Sequence, residues 1–155
     1  MDYLLYSFYV LPCLLGGLFL SIYDFLARSV PRWAVLSAVS IQLIWFYVFL
    51  GVTAVRTASV FILIACGTQF VLFLIARGGL GLGDVTAIAV SVLFFVPTGL
   101  RSWVLLIIWW LLMSAVLLLQ IMFLLLRKRK TSIACVPTQF FCALLTIALY
   151  FFAYN

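Results

Sequence analysis

Two aspartates carry the only acid chemistry available to the interior of this sequence. Asp24 closes the first apolar segment, and Asp84 ends the run Arg77 to Asp84, R-G-G-L-G-L-G-D. With Asp2 they make up all three acidic residues of the chain. A carboxylate at the edge of an apolar segment is unfavourable unless it has a partner or a task. Two carboxylates brought within a few ångströms do not both ionise readily, so they share a proton and titrate as one dyad. The ionised member can then draw a proton from water while the neutral one hydrogen-bonds the carbonyl of a scissile amide. That chemistry needs no metal, serine or histidine, and the chain has no histidine. Gly81 and Gly83, just before Asp84, offer a backbone that an extended substrate strand can approach closely, which makes them substrate-binding candidates.

Each aspartate also has a structural explanation. Asp24 has Arg28 four residues on, the spacing of a helix-end ion pair. Asp84 follows glycines, as an N-terminal helix cap often does. The catalytic reading gains its weight from the pair taken together, on one side of one membrane.

The elements that must hold this pair are membrane helices. The chain has 155 residues, of which 69% are hydrophobic and 8% charged, with a mean hydropathy of +1.40. That is more apolar surface than one small core can hide. Uncharged runs cover 3 to 23, 33 to 55, 57 to 76, 85 to 100, 102 to 126 and 131 to 155, each near the roughly 20 residues that span a bilayer core as helix. The sequence therefore predicts an all-α polytopic membrane protein, a bundle of six transmembrane helices forming a single domain over 1–155. The fourth run is the shortest and spans only if its helix begins near Gly83 or Asp84. The first run has no basic residue before it and outlasts a signal-peptide core, so it is expected to be a retained helix. Short loops at 24 to 32, about 51 to 56, 77 to 83, about 97 to 102 and 127 to 131 imply antiparallel neighbours in a compact bundle.

A net charge of +6 would suit a nucleic-acid partner if it were clustered, but the basic residues sit at the ends of the apolar runs, and none is expected. They report orientation. With the N-terminus outside, Arg28, Arg32, Arg77, Arg127, Lys128, Arg129 and Lys130 lie inside, and Arg56 and Arg101 outside, a positive-inside pattern. Both termini are then outside, and Asp24 and Asp84 share the cytoplasmic side.

Cys13, Cys66, Cys135 and Cys142 lie within apolar runs without a C-x-x-C pair, so neither a metal nor another cofactor is expected, and the thiols read as small apolar groups. Pro12 and Pro137 should kink or interrupt helices 1 and 6, each freeing a carbonyl that another group must satisfy. Gln42, Gln69, Gln120 and Gln139 are expected to make interhelical hydrogen bonds. Gly83, Ala87 and Ser91 form a small-residue stripe on helix 4 that would let another helix approach, such as the one carrying Asp24.

The segment Asp24 to Arg32, D-F-L-A-R-S-V-P-R, resembles the D-x-x-x-R-x-I-P-N motif of the type IV prepilin peptidases, and Gly78 to Val85, G-G-L-G-L-G-D-V, is similar to their G-x-G-D-V-K signature. A third likeness is Ala134 to Ala143, A-C-V-P-T-Q-F-F-C-A, where those enzymes have an I-P-F-G-P-F-like stretch, which would give Pro137 a part in shaping the site. The chain departs from the family at Arg32 (asparagine there), Thr86 (lysine there) and at Gln139 and Phe140, which interrupt the third motif. Tyr23-Asp24 with Gly-Leu-Gly-Asp is also similar to presenilin and signal peptide peptidase, which have more helices and a Pro-Ala-Leu motif absent here.

The first resemblance implies an aspartic endopeptidase with Asp24 and Asp84 as the catalytic pair. It would act in the cytoplasmic membrane on the cytoplasmic leader of a prepilin or pseudopilin, with membrane lipids as surroundings. It further implies the short, peptidase-only form, which does not methylate the new N-terminus. Family substrates commonly carry a glutamate early in the mature helix, which makes Arg32 a candidate for binding it. Two other readings are a proton-coupled transporter subunit, whose carboxylate would lie nearer mid-membrane, and a non-catalytic pilus-assembly factor.

Overall fold

The computed structural model describes residues 3–75, 82–126 and 135–154, which are helical apart from 28–31 and 51, with no strand among them. The chain runs α1 (Tyr3–Ala27), α2 (Arg32–Leu50), α3 (Val52–Ile75), α4 (Leu82–Val92), a 3-10 segment (Leu93–Arg101), α5 (Ser102–Leu126) and α6 (Cys135–Tyr154). All of the α-helices except α4 are long and apolar enough to cross a membrane, so the protein is an all-α membrane bundle. α4 begins at Leu82, as a span from the fourth run requires. Its 11 residues rise about 16 Å at 1.5 Å each, and the 3-10 winding that follows adds about 2 Å per residue. The tighter helix thus stretches a short apolar run toward the roughly 30 Å of a bilayer core.

α4 is the centre of the bundle. Every residue from Ala87 to Val96 is buried, the pattern of a helix surrounded by others, and α4 packs on α1, α2, α3 and α6. By contrast, 17% of the α3 span is buried, which puts that helix on the outside facing lipid. Close packing around α4 uses glycine on α1. A Cβ at Gly16 would stand 2.9 Å from that of Ala38 on α2, and one at Gly17 would collide with the Phe140 ring on α6. A single residue, Gly51, joins α2 to α3 at φ 80°, with its N–H on the Phe46 carbonyl at 3.0 Å. The loop expected near 51 to 56 is therefore almost entirely helix.

The prolines are resolved in three ways. Pro12 lies inside a continuous α1, where it cannot donate to the carbonyl of Phe8. The indole N–H of Trp45 on α2 donates to that oxygen instead, at 3.1 Å. One residue on, the fully buried Gln42 bridges two groups that an unbroken helix would join directly. It accepts from the Cys13 N–H at 2.8 Å and donates to the Tyr9 carbonyl at 2.8 Å. Pro97 lies in the 3-10 segment, where the missing donor would have served Phe94, and the Tyr6 hydroxyl donates to that carbonyl at 2.7 Å. Pro137, expected to kink helix 6, is the third residue of α6. First-turn N–H groups have no carbonyl to reach, so no bond is lost and the helix is not interrupted there.

Replacing Gln42 with leucine strands one donor and one acceptor in hydrocarbon. We expect Gln42→Leu to lower stability by about 1–3 kcal/mol, measured by denaturant titration of the reconstituted protein. Adding Pro12→Ala should recover most of that loss, because without the proline ring α1 can straighten and the Cys13 N–H can reach the Tyr9 carbonyl directly.

Candidate functional site

Asp24 sits in the last turn of α1, which continues past it to Ala27, so it is a helix residue rather than the first residue of a loop. Its side chain is 4% exposed. The carboxylate oxygen Oδ2 accepts a hydrogen bond from the backbone N–H of Val136 at 3.2 Å. Val136 is the second residue of α6, and its N–H is one of the donors that a helix start leaves unused. The positive end of the α6 dipole also favours a carboxylate there. The α6 terminus therefore meets a buried charge with a donor that the fold would otherwise have to satisfy elsewhere.

After Ala27 the chain reverses in four residues. Arg28 adopts φ 54°, a left-handed conformation typical of the residue that ends a helix, and its N–H bonds the Asp24 carbonyl at 2.9 Å. Its guanidinium lies 5.9 Å from the centre of the Phe25 ring, and its charge acts on the Asp24 carboxyl one turn away. Pro31 then caps α2, its carbonyl receiving the N–H groups of Ala34 at 3.1 Å and Val35 at 3.4 Å. Arg32, the first residue of α2, is exposed.

Val30, in the middle of this reversal, is buried and meets the start of α4. A Cβ at Gly83 would stand 3.2 Å from both the Cβ and the carbonyl oxygen of Val30, so a larger residue there would have to push Val30 back by a few tenths of an ångström. Gly83, the first residue of the small-residue stripe, thus brings the start of α4 against the loop after Asp24. Asp84 follows directly as the third residue of α4, inside the first turn and past the capping position. Its side chain, like all of Gly81, lies outside the described residues. The Thr86 hydroxyl turns back onto the Gly83 carbonyl at 3.0 Å.

The third segment completes this end of the bundle. Thr138 and Gln120 join α6 to α5, at 3.0 Å from the amide nitrogen to the hydroxyl. The carbonyl of Gln139 accepts from the Trp109 indole at 3.0 Å. Phe140 packs edge-to-face with Phe94, 5.8 Å between centroids. Ser21, one turn before Asp24, is a buried hydroxyl without a hydrogen-bond partner among the described residues. Sequence reasoning passed over Ser21 and Val136, since a backbone N–H has no residue signature and a lone serine in an apolar run reads as packing. Cys13 is more than a small apolar group, because its thiol donates to the Val90 carbonyl at 2.8 Å.

Among the described residues no cluster of histidine, cysteine, aspartate or glutamate could hold a metal ion. The Asp24 carboxyl, with a backbone N–H to orient it, is a group able to support general acid–base chemistry.

Gly83 is the tight contact that joins the start of α4 to the loop after Asp24. Gly83→Ala should loosen the first turn of α4, and Gly83→Leu should displace it from Val30 with a loss of about 1–3 kcal/mol, read from thermal denaturation in detergent.

Compared with known protein families, with curated proteins and with solved structures, the chain finds no match.

Proposed function

We propose that this protein is an aspartic endopeptidase of the membrane boundary that removes the cytoplasmic leader from prepilin-like proteins, with Asp24 and Asp84 as its catalytic pair. The observation that carries the reading is the buried Asp24 carboxyl, at the end of the bundle where Gly83, the neighbour of Asp84, packs on Val30. The two motifs that resemble the prepilin peptidases thus belong to one end of one bundle. In the proposed mechanism one carboxylate takes a proton from the attacking water as its oxygen bonds to the scissile carbonyl carbon. The protonated partner hydrogen-bonds the carbonyl oxygen and stabilises the charge that develops there. In the second step the tetrahedral carbon expels the amine of the mature protein, the C–N bond breaks as that nitrogen takes the proton drawn from water, and the leader departs as a carboxylic acid. The Val136 N–H fixes the orientation of Asp24 through both steps. Gly81 and Gly83 would line the path of the extended leader, and Arg32 would face the substrate's first mature residues. The proposed location is the cytoplasmic membrane, with the site facing the cytoplasm and both termini outside.

The Val136 hydrogen bond gives Asp24 a second possible role, as a structural tether for α6. The two roles separate by substitution. Asparagine keeps an acceptor for the Val136 N–H but cannot act as a base, whereas alanine loses both. Asp24→Asn and Asp84→Asn are each expected to lower leader removal by about 10²–10⁴-fold, followed by immunoblotting of a co-expressed prepilin, while the protein still accumulates in the membrane. Asp24→Ala should in addition lower thermal stability. Processing by Asp24→Asn at the wild-type rate would leave that residue only the tether.

Orientation offers an independent check. Labelling of single cysteines introduced at 127 to 130 should occur from the cytoplasmic side, and labelling near either terminus from the outside. A cytoplasmic leader could not reach Asp84 if the segment 77 to 83 were labelled from outside.

A further inference from the structure

A hydroxyl inside a membrane helix commonly donates to the carbonyl one turn back in its own helix, which satisfies it without a neighbour. Ser37, Ser59 and Thr146 do this here, at 2.8, 2.9 and 2.8 Å. Ser21 does not. Its side chain is 8% exposed, and its hydroxyl oxygen is buried with no hydrogen bond among the described residues. An unmet hydroxyl in an apolar setting is strongly disfavoured, and alanine would remove the penalty without changing the packing much.

The place of Ser21 on α1 shows what could satisfy it. Gly17, Ser21 and Asp24 stand at i, i+4 and i+7, on one face of the helix. Both ends of that stripe meet α6, since the Phe140 ring covers Gly17 and the Val136 N–H bonds Asp24 Oδ2. Ser21 lies between those two contacts. Helical side chains lean toward the helix N-terminus, which carries the Asp24 carboxyl back over the turn that holds Ser21. Residues three apart on a helix have Cβ atoms about 5–6 Å apart. Two hydrogen bonds of about 2.8 Å that meet at one water span a gap of that order.

We propose that Ser21 and Asp24 grip one water between them, and that this is the water that attacks the scissile carbonyl. The assignment rests on the peptidase reading above and gives Asp24 the part of the base. The water oxygen bonds to the carbonyl carbon, one of its protons passes to the Asp24 carboxylate, and the other stays on the oxygen, held by Ser21 Oγ. The Val136 N–H suits this part, because a donor to the carboxylate favours its ionised form. Ser21 sets where the water's lone pair points, so its loss falls on turnover rather than on substrate binding.

Two measurements test this, the first without substrate. In the Asp84→Asn background Asp24 titrates without its acidic partner, with Arg28 as the charge that acts on it, and its carboxyl stretch is followed by infrared spectroscopy against pH. Adding Ser21→Ala should move the midpoint upward by about one pH unit, because a bridged donor that favours the carboxylate is gone. An unmoved midpoint overturns the proposal. In leader removal, Ser21→Ala should lower kcat about tenfold, the worth of one hydrogen bond, with KM within about twofold of wild type and thermal stability no lower. Ser59→Ala, which loses a hydroxyl bonded to its own helix on α3, should leave both readouts unchanged. A kcat loss matched by a fall in thermal stability makes Ser21 a packing residue and overturns the proposal. If wild type cleaves and Ser21→Ala matches its kcat, the water assignment falls while the peptidase reading stands. A wild type that leaves prepilins intact removes both.

Discussion

Hydrocarbon offers no hydrogen bonds, so each backbone group that a proline or a helix end leaves open must be met from within the protein. Most of the long-range polar contacts in this bundle answer that constraint. Trp45 and Gln42 close the gap at Pro12, and Tyr6 closes the one at Pro97. These side chains also fix how the helices sit, because each reaches from one element into the backbone of another. α2 is locked to α1 by Gln42 and Trp45, and α1 is locked to the central 3-10 segment by Tyr6. The packing of apolar side chains alone gives membrane helices less specificity, since lipid chains compete for the same contacts.

The candidate site is the same constraint met by a charge. The α6 start has unused N–H groups, and the end of α1 has a carboxylate that cannot be left alone in an apolar setting. Bringing them together satisfies both. Gly83 then lets the loop after Asp24 press against the start of α4. The loop that follows the buried acid is thereby held against a helix start whose third residue is also an acid.

The fold was largely legible from the sequence because the apolar runs are long and the charges fall between them. Its finer architecture was not. Helix starts and ends moved by several residues: α1 extends to Ala27, α2 and α3 are separated only by Gly51, and Pro137 moves from a helix interior to a first turn. Charge positions mark membrane edges, whereas helices end where hydrogen bonding and left-handed residues allow, as at Arg28. The change of α4 to 3-10 winding has no pattern in hydropathy, and its signal is the single Pro97. At the site the acids were found by rarity, yet the partner of Asp24 is a main-chain N–H that no residue code could announce. The expectation of interhelical bonds held for the side chains of Gln42 and Gln120, whose polarity showed that each needs a partner without showing which.

The third motif shows how packing and resemblance interact. Gln139 and Phe140 stand where the prepilin peptidases have small or rigid residues, which by itself weakens the likeness. In the bundle, Phe140 lies over α1 where Gly17 has no Cβ, and its ring meets Phe94 of the central segment. A bulky ring at 140 therefore requires glycine at 17, and the two positions must change together. The backbone at 136 still reaches Asp24, because its N–H belongs to the helix start and does not depend on the side chains that follow. A departure at 139 or 140 can thus alter the packing of α6 while leaving the contact to the acid in place, so these two residues bear on how α6 is seated more than on whether Asp24 has its donor.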